Sequence, residues 1–484
     1  MTFGSRNYLN VGPKGTFRKS GTYTSEPSDV DALFADLAAG SRSKLTIHFH
    51  GGLVEEAEGI KVAQKMMPVY DAAGAHPLTV VWETGPLETI RTNLDTIHRT
   101  ELFQFLLRKL IEKVMERLGI TVGGRGLGGR LSPDEIEAEL AKPYPFDDVR
   151  FTSGVRGGAS TLSEPEADLA RQEVAVELEQ EFDADPNFAR IMTTEAPVTD
   201  QLKKEEILPS SEEGARGLVS SAKAAMAVAR IFYRIVTRFI QKRDHDLYPT
   251  VVEELLRSLY AESVGRWIWG GMKRNAQRMW ADNAGLTGND LHAGRYFLEQ
   301  LARHQSSHSL TVDLVGHSAG SIAILEMMRA RKAAAIPIDV RHAFFLAPAC
   351  TSKLFYQCIS QGEDAWRTLR IFTMDDSFEK LDRMLGVVYP YSLLYFVSGL
   401  AEDSPDEPIL GMQRFLSGVA PFDEPHLLKV REYVQDTQSA RYAPSVWGKI
   451  NAGALEGFRT SSESHGGFDD DADTLASLKY LIAQ

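Results

Sequence analysis

The chain has 484 residues, 43% of them hydrophobic, so it can bury a large core in one enlarged domain or in two to three ordinary ones. Its formal net charge of −13 argues against a general nucleic-acid binder, because phosphate contacts need a clustered basic surface. The two cysteines, Cys350 and Cys358, fit neither a zinc site nor a disulfide framework, and we expect a reducing compartment.

The N-terminal residues lack the apolar region of a secretory signal, and no uninterrupted apolar run is long enough to span a bilayer. We therefore expect a cytoplasmic protein. Export by a route that leaves no such signal is the alternative.

The first regular elements form a strand, a helix and a second strand. Residues 44–48 form a short apolar strand that leads into His50-Gly51-Gly52, and apolar residues recur with helical spacing between residues 62 and 70. Residues 78–82 are β-branched and aromatic and predict the second strand. This order is typical of a βαβ unit and predicts parallel strand pairing.

From residue 101 onwards, helical stretches and polar segments replace strands for nearly two hundred residues. We interpret 101–297 as a mainly helical insertion that divides a core formed by 1–100 and 298–484. Within it, 124–129 matches the dinucleotide-binding pattern G-x-G-x-x-G, but its surroundings lack a βαβ unit and favour a plain glycine-rich loop. Residues 145–214 are acidic and poor in aromatics, which favours disorder, although 167–182 predicts a helix.

The insertion also contains a basic amphipathic helix, predicted over 218–240. Three arginines with a spacing of four share one of its faces: Arg230, Arg234 and Arg238. Such a helix could contact an anionic membrane or cover a lipid-binding pocket, or it could pack against its own protein. Three tryptophans follow, which could line an acyl pocket or pack between helices: Trp267, Trp269 and Trp280.

After the insertion, strands and helices alternate again. Strands are predicted over residues 310–315, 342–346 and 369–373. Residues 392–397 are a weaker strand candidate, because this apolar run could also be a buried helix. Residues 472–482 predict a closing helix.

The stretch Gly316-His317-Ser318-Ala319-Gly320 matches the pattern G-x-S-x-G at the point where a predicted strand passes into a helix. The glycines are needed because side chains at these positions would collide with the neighbouring strand or helix. The pattern predicts a sharp turn that exposes Ser318 Oγ as a nucleophile, and the helix behind it directs backbone N–H groups toward developing negative charge.

These residues resemble the α/β-hydrolase superfamily, in particular its lipases and esterases, over residues 44–84 and 298–484. The resemblance implies a mostly parallel sheet flanked by helices. It also implies an oxyanion loop, which His50-Gly51-Gly52-Leu53 resembles, with Leu53 in place of a third glycine. The oxyanion donors expected from the resemblance are the N–H groups of Gly52 and Ala319.

The resemblance further implies an acid after a later strand and a histidine before the last helix. Asp375 and Asp376 both follow the strand that ends near residue 373, and we select Asp376 because it lies further into the loop. His426 and His465 both follow the acid. We select His465, in a flexible loop before the closing helix, whereas His426 opens a helix.

The sequence thus predicts a serine hydrolase with the triad Ser318, His465 and Asp376, which needs no metal and no cofactor. The expected substrate is a carboxylic ester, for example of a lipid or another hydrophobic acyl group, although thioesterase, amidase and acyltransferase chemistry use the same triad. The alternative is an inactive hydrolase core that presents the insertion to a partner or a membrane.

Overall fold

The computed structural model describes residues 2–85, 87–122, 131–151, 164–188, 190–191, 221–260, 266–360, 365–386, 388–435, 445–448 and 453–484. In these ranges the strands are β1 (Tyr8–Val11), β2 (Lys44–Phe49), β3 (His76–Trp82), β4 (Ile120–Val122), β5 (Val149–Phe151), β6 (Thr311–His317), β7 (His342–Leu346), β8 (Thr368–Thr373) and β9 (Val446–Trp447).

The helices are α1 (Pro27–Ala39), α2 (Glu56–Ala72), α3 (Leu87–His98), α4 (Glu101–Leu118), α5 (Pro133–Leu140), α6 (Glu164–Ala184), α7 (Ser221–Ile240), α8 (Leu247–Leu259), α9 (Arg266–Arg278), α10 (Ala293–Gln305), α11 (Gly320–Ala333), α12 (Ser352–Ile359), α13 (Asp376–Leu381), α14 (Leu393–Phe396), α15 (Pro425–Gln435) and α16 (Ala472–Ala483). A π-helical turn, Val397–Ala401, follows α14, and a 3-10 turn, His465–Gly467, precedes α16.

Seven of the described strands form one sheet in the order β1-β3-β2-β6-β7-β8-β9, and every neighbouring pair in it is parallel. Strands β3 and β6 are buried along nearly their whole length, as expected for parallel strands that helices cover on both faces. The fold is therefore α/β, with a parallel sheet flanked by helices, as predicted.

The strand order changes direction between the neighbouring strands β2 and β6. Strands β3 and β1 lie on the β2 side of this point, and strands β7, β8 and β9 follow one another on the β6 side. The loops that leave the carboxyl ends of β2 and β6 therefore diverge and open a crevice between them, which is where open α/β sheets bind ligands. These two loops contain His50-Gly51-Gly52 and Ser318.

The predicted strands at 44–48, 78–82, 310–315, 342–346 and 369–373 are confirmed as β2, β3, β6, β7 and β8. The strand considered over 392–397 is wrong. Ser392 caps a helix there by accepting a hydrogen bond from the N–H of Tyr395, and the apolar run is buried as α14 and the π-helical turn.

Between β3 and β6 the described residues are mainly helical, with one small antiparallel sheet of β4 and β5 that was not predicted. The helices predicted over 167–182 and 218–240 are confirmed as α6 and α7, and α7 packs against α4, α6 and α8. The glycine-rich stretch 124–129 and much of 145–214 lie outside the described residues.

Candidate active site

Ser318 lies in a sharp turn between β6 and α11. Its φ angle of 51° is in the left-handed region, which side chains other than glycine rarely occupy. The surrounding backbone holds this conformation, because the Ser318 N–H donates to the carbonyl of Leu346 at 2.8 Å and its carbonyl accepts from the N–H of Ala349 at 3.1 Å. Strained residues of this kind cluster at functional sites.

The two glycines of the motif stand where a side chain would not fit. A Cβ on Gly316 would lie 2.8 Å from Ile324 Cδ1 and 2.9 Å from the backbone of Gly320. A Cβ on Gly320 would overlap the carbonyl oxygen of Phe49 at the end of β2. The predicted steric reason for both glycines is therefore confirmed.

Ser318 and His465 meet although 147 residues separate them. His465 Nε2 lies 2.8 Å from Ser318 Oγ, and only 2% of the serine and 6% of the histidine are exposed. Burial, and secondarily the nearby imidazole of His317, lower the pKa of His465 to about 3. The ring is therefore neutral at pH 7 and can accept the serine proton.

The structure does not bring Asp376 to His465, and the predicted acid needs a correction. Asp376 is the first residue of α13, and its Oδ1 accepts a hydrogen bond from the Tyr395 hydroxyl at 2.6 Å. Within the described part of the chain, His465 Nδ1 has no hydrogen-bond partner. Asp375 caps α13 by accepting hydrogen bonds from the N–H groups of Ser377 and Phe378.

Asp382 is the carboxyl group that contacts His465. It directly follows α13, and its Oδ2 accepts a hydrogen bond from the main-chain N–H of His465 at 2.7 Å. Burial raises the pKa of Asp382, and the hydrogen bond from His465 partly offsets this effect. Asp382 was not predicted, although it is the fourth acidic residue after β8, because its position beside the histidine depends on the length of α13.

The other candidate base, His426, lies away from Ser318. It is the second residue of α15, so the expectation that it opens a helix is confirmed. Its Nδ1 lies 3.6 Å from Glu424, and its ring packs near Tyr356.

The loop after β2 lies against the serine turn. A Cβ on Gly51 would lie 3.6 Å from Ser318 Cβ, and one on Gly52 would lie 2.8 Å from Ala319 Cβ. Leu53, which stands where the resemblance expects a third glycine, has a φ of 61° and so adopts the conformation that glycine favours. Ala319 directly precedes α11, whose first N–H groups have no partner within the helix.

His48 and His50 are packed core histidines. His48 Nδ1 lies 2.7 Å from the Tyr70 hydroxyl, and His50 Nε2 accepts a hydrogen bond from the N–H of Trp82 at 3.2 Å. Burial lowers the pKa of His50 to about 4, so it is neutral at pH 7. Neither ring bonds to Ser318 or His465.

Two parts of the insertion contact the surroundings of the serine. A Cβ on Gly52 would lie 2.6 Å from Met272 Sδ, which places α9 over the loop after β2. The guanidinium of Arg383, the residue after Asp382, lies over the ring of Tyr144, 3.8 Å from the ring centroid. The insertion thus contacts the loop after β2 and the residue next to Asp382.

The amphipathic helix α7 packs within the protein. Arg238 is buried and forms ion pairs with Glu253 at 2.8 Å and Glu254 at 3.2 Å, and Arg234 donates to Ser258 Oγ at 2.6 Å. Arg230 is exposed. The interpretation that the apolar face of this helix packs against its own protein is therefore confirmed, since Ile231, Phe232, Ile235 and Phe239 are buried.

The tryptophans of α9 and the following turn also pack inside. Trp269 is buried and donates from Nε1 to Glu402 at 2.7 Å, and Trp280 lies against Phe49. The Trp267 side chain lies outside the described residues. The contacts of Trp269 and Trp280 therefore support the interpretation that these tryptophans pack inside the protein rather than line an acyl pocket.

Searches against protein-family models, curated proteins and solved structures gave no match for this chain. In the described ranges the helices are too short or too polar to cross a lipid bilayer. The same ranges contain no group of three or more His, Cys, Asp or Glu side chains arranged to hold a metal ion.

Proposed function

We propose that this chain is a serine hydrolase with an α/β-hydrolase fold, which cleaves a carboxylic ester through an acyl-enzyme intermediate. The observation that carries the proposal is the 2.8 Å contact between Ser318 Oγ and His465 Nε2 at a strained strand-to-helix turn. A serine hydroxyl is a poor nucleophile at neutral pH unless a base lies within hydrogen-bonding distance.

The fold supports the proposal. In the parallel order β1-β3-β2-β6-β7-β8-β9, Ser318 follows the central strand β6 and the loop 50–53 follows the neighbouring strand β2. The candidate acids come after β8, and His465 comes before the last helix. This is the chain order of parts in α/β-hydrolases, in which the acid follows the serine and the histidine comes last.

In the proposed reaction His465 Nε2 takes the Ser318 proton while Oγ attacks the ester carbonyl carbon. The tetrahedral oxyanion is stabilised by the N–H groups of Gly52 and Ala319, an interaction worth about 3 kcal/mol per donor. The intermediate collapses with cleavage of the C–O bond, and His465 returns the proton to the departing alcohol. Water, deprotonated by His465, then attacks the acyl group, and the acid leaves as Ser318 regains its proton.

We assign Asp382, in place of Asp376, as the acid that orients the histidine. Its carboxylate already bonds to the main-chain N–H of His465, so it is the carboxyl group that a side-chain rotation could bring to Nδ1 of the same residue. An unpartnered buried ring nitrogen has a free-energy cost of about 1–3 kcal/mol, which such a hydrogen bond would remove.

One observation favours the alternative, an inactive hydrolase core that serves as an interaction protein. A general base normally has its second nitrogen held by a third group, and here His465 Nδ1 lacks such a partner within the described residues. The two functions differ in what they require of Ser318, because only the hydrolase needs its hydroxyl.

The test is hydrolysis of a series of p-nitrophenyl esters with increasing acyl chain length by the purified full chain, with Ser318→Ala as the matched variant. We expect the parent to hydrolyse at least the short esters and the variant to reduce the rate to background. Equal rates for both proteins would exclude the proposed function, and a dependence on chain length would define the acyl group.

A further inference from the structure

His317 occupies the variable position of the G-x-S-x-G motif, directly before the nucleophile. Only 8% of this residue is exposed, and its Nε2 lies 2.9 Å from the main-chain carbonyl oxygen of His465. Because a carbonyl oxygen only accepts, Nε2 must carry the hydrogen and donate it. This buried hydrogen bond joins the end of β6 to the 3-10 turn that carries His465.

The main chain of His465 is thus held on both sides. Asp382 accepts from its N–H at 2.7 Å, and His317 donates to its carbonyl at 2.9 Å. The two imidazole rings also pack together, with centroids 5.7 Å apart and planes inclined by 30°. These contacts fix the position from which the His465 ring reaches Ser318.

The buried side chain of Phe468 anchors the chain three residues after His465, but the residue next to His465 has no side chain. Gly466 directly follows, and a Cβ added there would meet nothing within 4 Å. Hydrogen bonds from neighbouring elements therefore help to fix the main chain of His465, and the main-chain bond from His317 comes from the turn that carries Ser318.

We propose that His317 is a positioning residue, which holds the main chain of His465 through its Nε2–H so that Nε2 of His465 stays within reach of Ser318 Oγ. This inference rests on the proposed hydrolase function. His317 transfers no proton in it; the residue acts through His465. A misplacement of a catalytic group by about 1 Å costs up to about 100-fold in rate, so the loss of this bond should be measurable.

The test compares His317→Gln with His317→Asn on a short p-nitrophenyl ester. The glutamine amide nitrogen can lie close to where Nε2 stood and donate to the same carbonyl, whereas the asparagine amide is one methylene too short. We expect Asn to lower kcat about 10- to 100-fold with little change in KM, and Gln to restore most of the loss.

The pH profile separates positioning from electrostatics. Both variants remove the imidazole that contributes to the low pKa of His465, so both should move the acid limb of kcat/KM upward by the same amount. Only the variant without a donor at the right place should lose kcat. Equal kcat values for Gln and Asn would overturn the proposal, whatever the change in the pH profile.

Thermal unfolding of each variant verifies that it folds. If His317→Asn does not fold, His317→Phe takes its place, since it keeps a buried ring and lacks the donor. The parent protein separates this inference from the proposed function. A parent without esterase activity contradicts the function itself, whereas an active parent with equal Gln and Asn variants contradicts only the role of His317.

Discussion

The main-chain N–H of His465 donates to Oδ2 of Asp382 over 2.7 Å, although 83 residues separate them in sequence. This contact places a carboxyl group beside the proposed base at a position that no local pattern indicates. Asp376 is the first residue of α13, and its carboxylate bonds to Tyr395. Asp382 directly follows the end of the same helix and is the carboxyl group that reaches His465.

The first prediction concerns the acid. Asp382→Asn should lower the turnover of an ester substrate by about 10²- to 10⁴-fold, because the amide can still accept from the His465 N–H but cannot stabilise the imidazolium. The measurement is kcat at saturating substrate. Asp376→Asn is the matched control and should stay within about threefold of the parent, since an amide oxygen can still accept from Tyr395. The reverse ranking would return the role to Asp376.

The second prediction concerns pH. The base must be neutral to accept a proton, and burial lowers the pKa of His465 to about 3, so kcat/KM should change by less than about twofold between pH 7 and pH 5. An acid limb centred near pH 6.5, the value of an unperturbed histidine, would contradict the described environment.

The same shift affects stability in a defined direction. The folded-state pKa of His465 lies below its unfolded value, so between about pH 3 and 6.5 the unfolded chain binds more protons than the folded chain. The contribution of this residue to stability is present above pH 6.5 and is lost as the pH falls through that range. Circular dichroism at pH 5 should therefore accompany the kinetic measurement, to verify that the protein is still folded.

The third prediction concerns the serine turn. Gly320→Ala should destabilise the fold by about 1–3 kcal/mol or more and abolish activity, because the added methyl group would overlap the Phe49 carbonyl. Urea unfolding monitored by fluorescence measures the loss. Gly453→Ala is the control, since a Cβ there meets nothing within 4 Å. Equal stability of the two variants would show that the turn tolerates a side chain.

The sequence identified the parts of the fold that depend on local pattern. The strands at 78–82 and 310–315 were predictable because parallel strands buried on both faces read as continuous β-branched and apolar runs. Strand β1 was missed because Tyr8-Leu9-Asn10-Val11 is short and contains a polar residue; it pairs with β3 at the sheet edge. The run at 392–397 was ambiguous because a short apolar segment has the same composition whether it forms a buried helix or a buried strand.

In the candidate site, the serine and the histidine were predictable and the acid was not. Ser318 lies in a motif whose strand-to-helix context is visible in sequence, and His465 stands before the closing helix. The acid depends on where α13 begins and ends: Asp375 became its cap, Asp376 its first residue and Asp382 the residue after it. Tertiary geometry, rather than distance from β8, distinguishes Asp382 from the other carboxylates of this segment, which are Asp375, Asp376 and Glu379.

The fourth prediction concerns a buried charge cluster away from the serine. His245 lies between two carboxylates, with Nδ1 2.7 Å from Glu253 and Nε2 2.9 Å from Asp406. Burial opposes ionisation of Glu253, but His245 and Arg238 outweigh it and lower its pKa to about 2. His245→Gln should therefore destabilise the protein by about 1–3 kcal/mol, because both buried carboxylates lose the imidazole that bridges them, although Glu253 keeps its ion pair with Arg238 and Asp406 keeps its ion pair with Arg414.

Chemical unfolding of this variant measures the effect. The matched control is Glu432→Gln, which breaks the ion pair between two exposed side chains, Lys429 and Glu432, and should leave stability unchanged. A His245→Gln variant as stable as the parent would contradict the view that this cluster ties residues 245–253 to the turn at Asp406.

The central claim, that Ser318 is a nucleophile activated by His465, is tested most directly with a fluorophosphonate probe and mass-spectrometric mapping of the adduct on the full chain. The account predicts one modified residue, Ser318, with no adduct on Ser318→Ala and much slower labelling of His465→Gln. A parent protein that carries no adduct, or one that is labelled equally after Ser318→Ala, would contradict it.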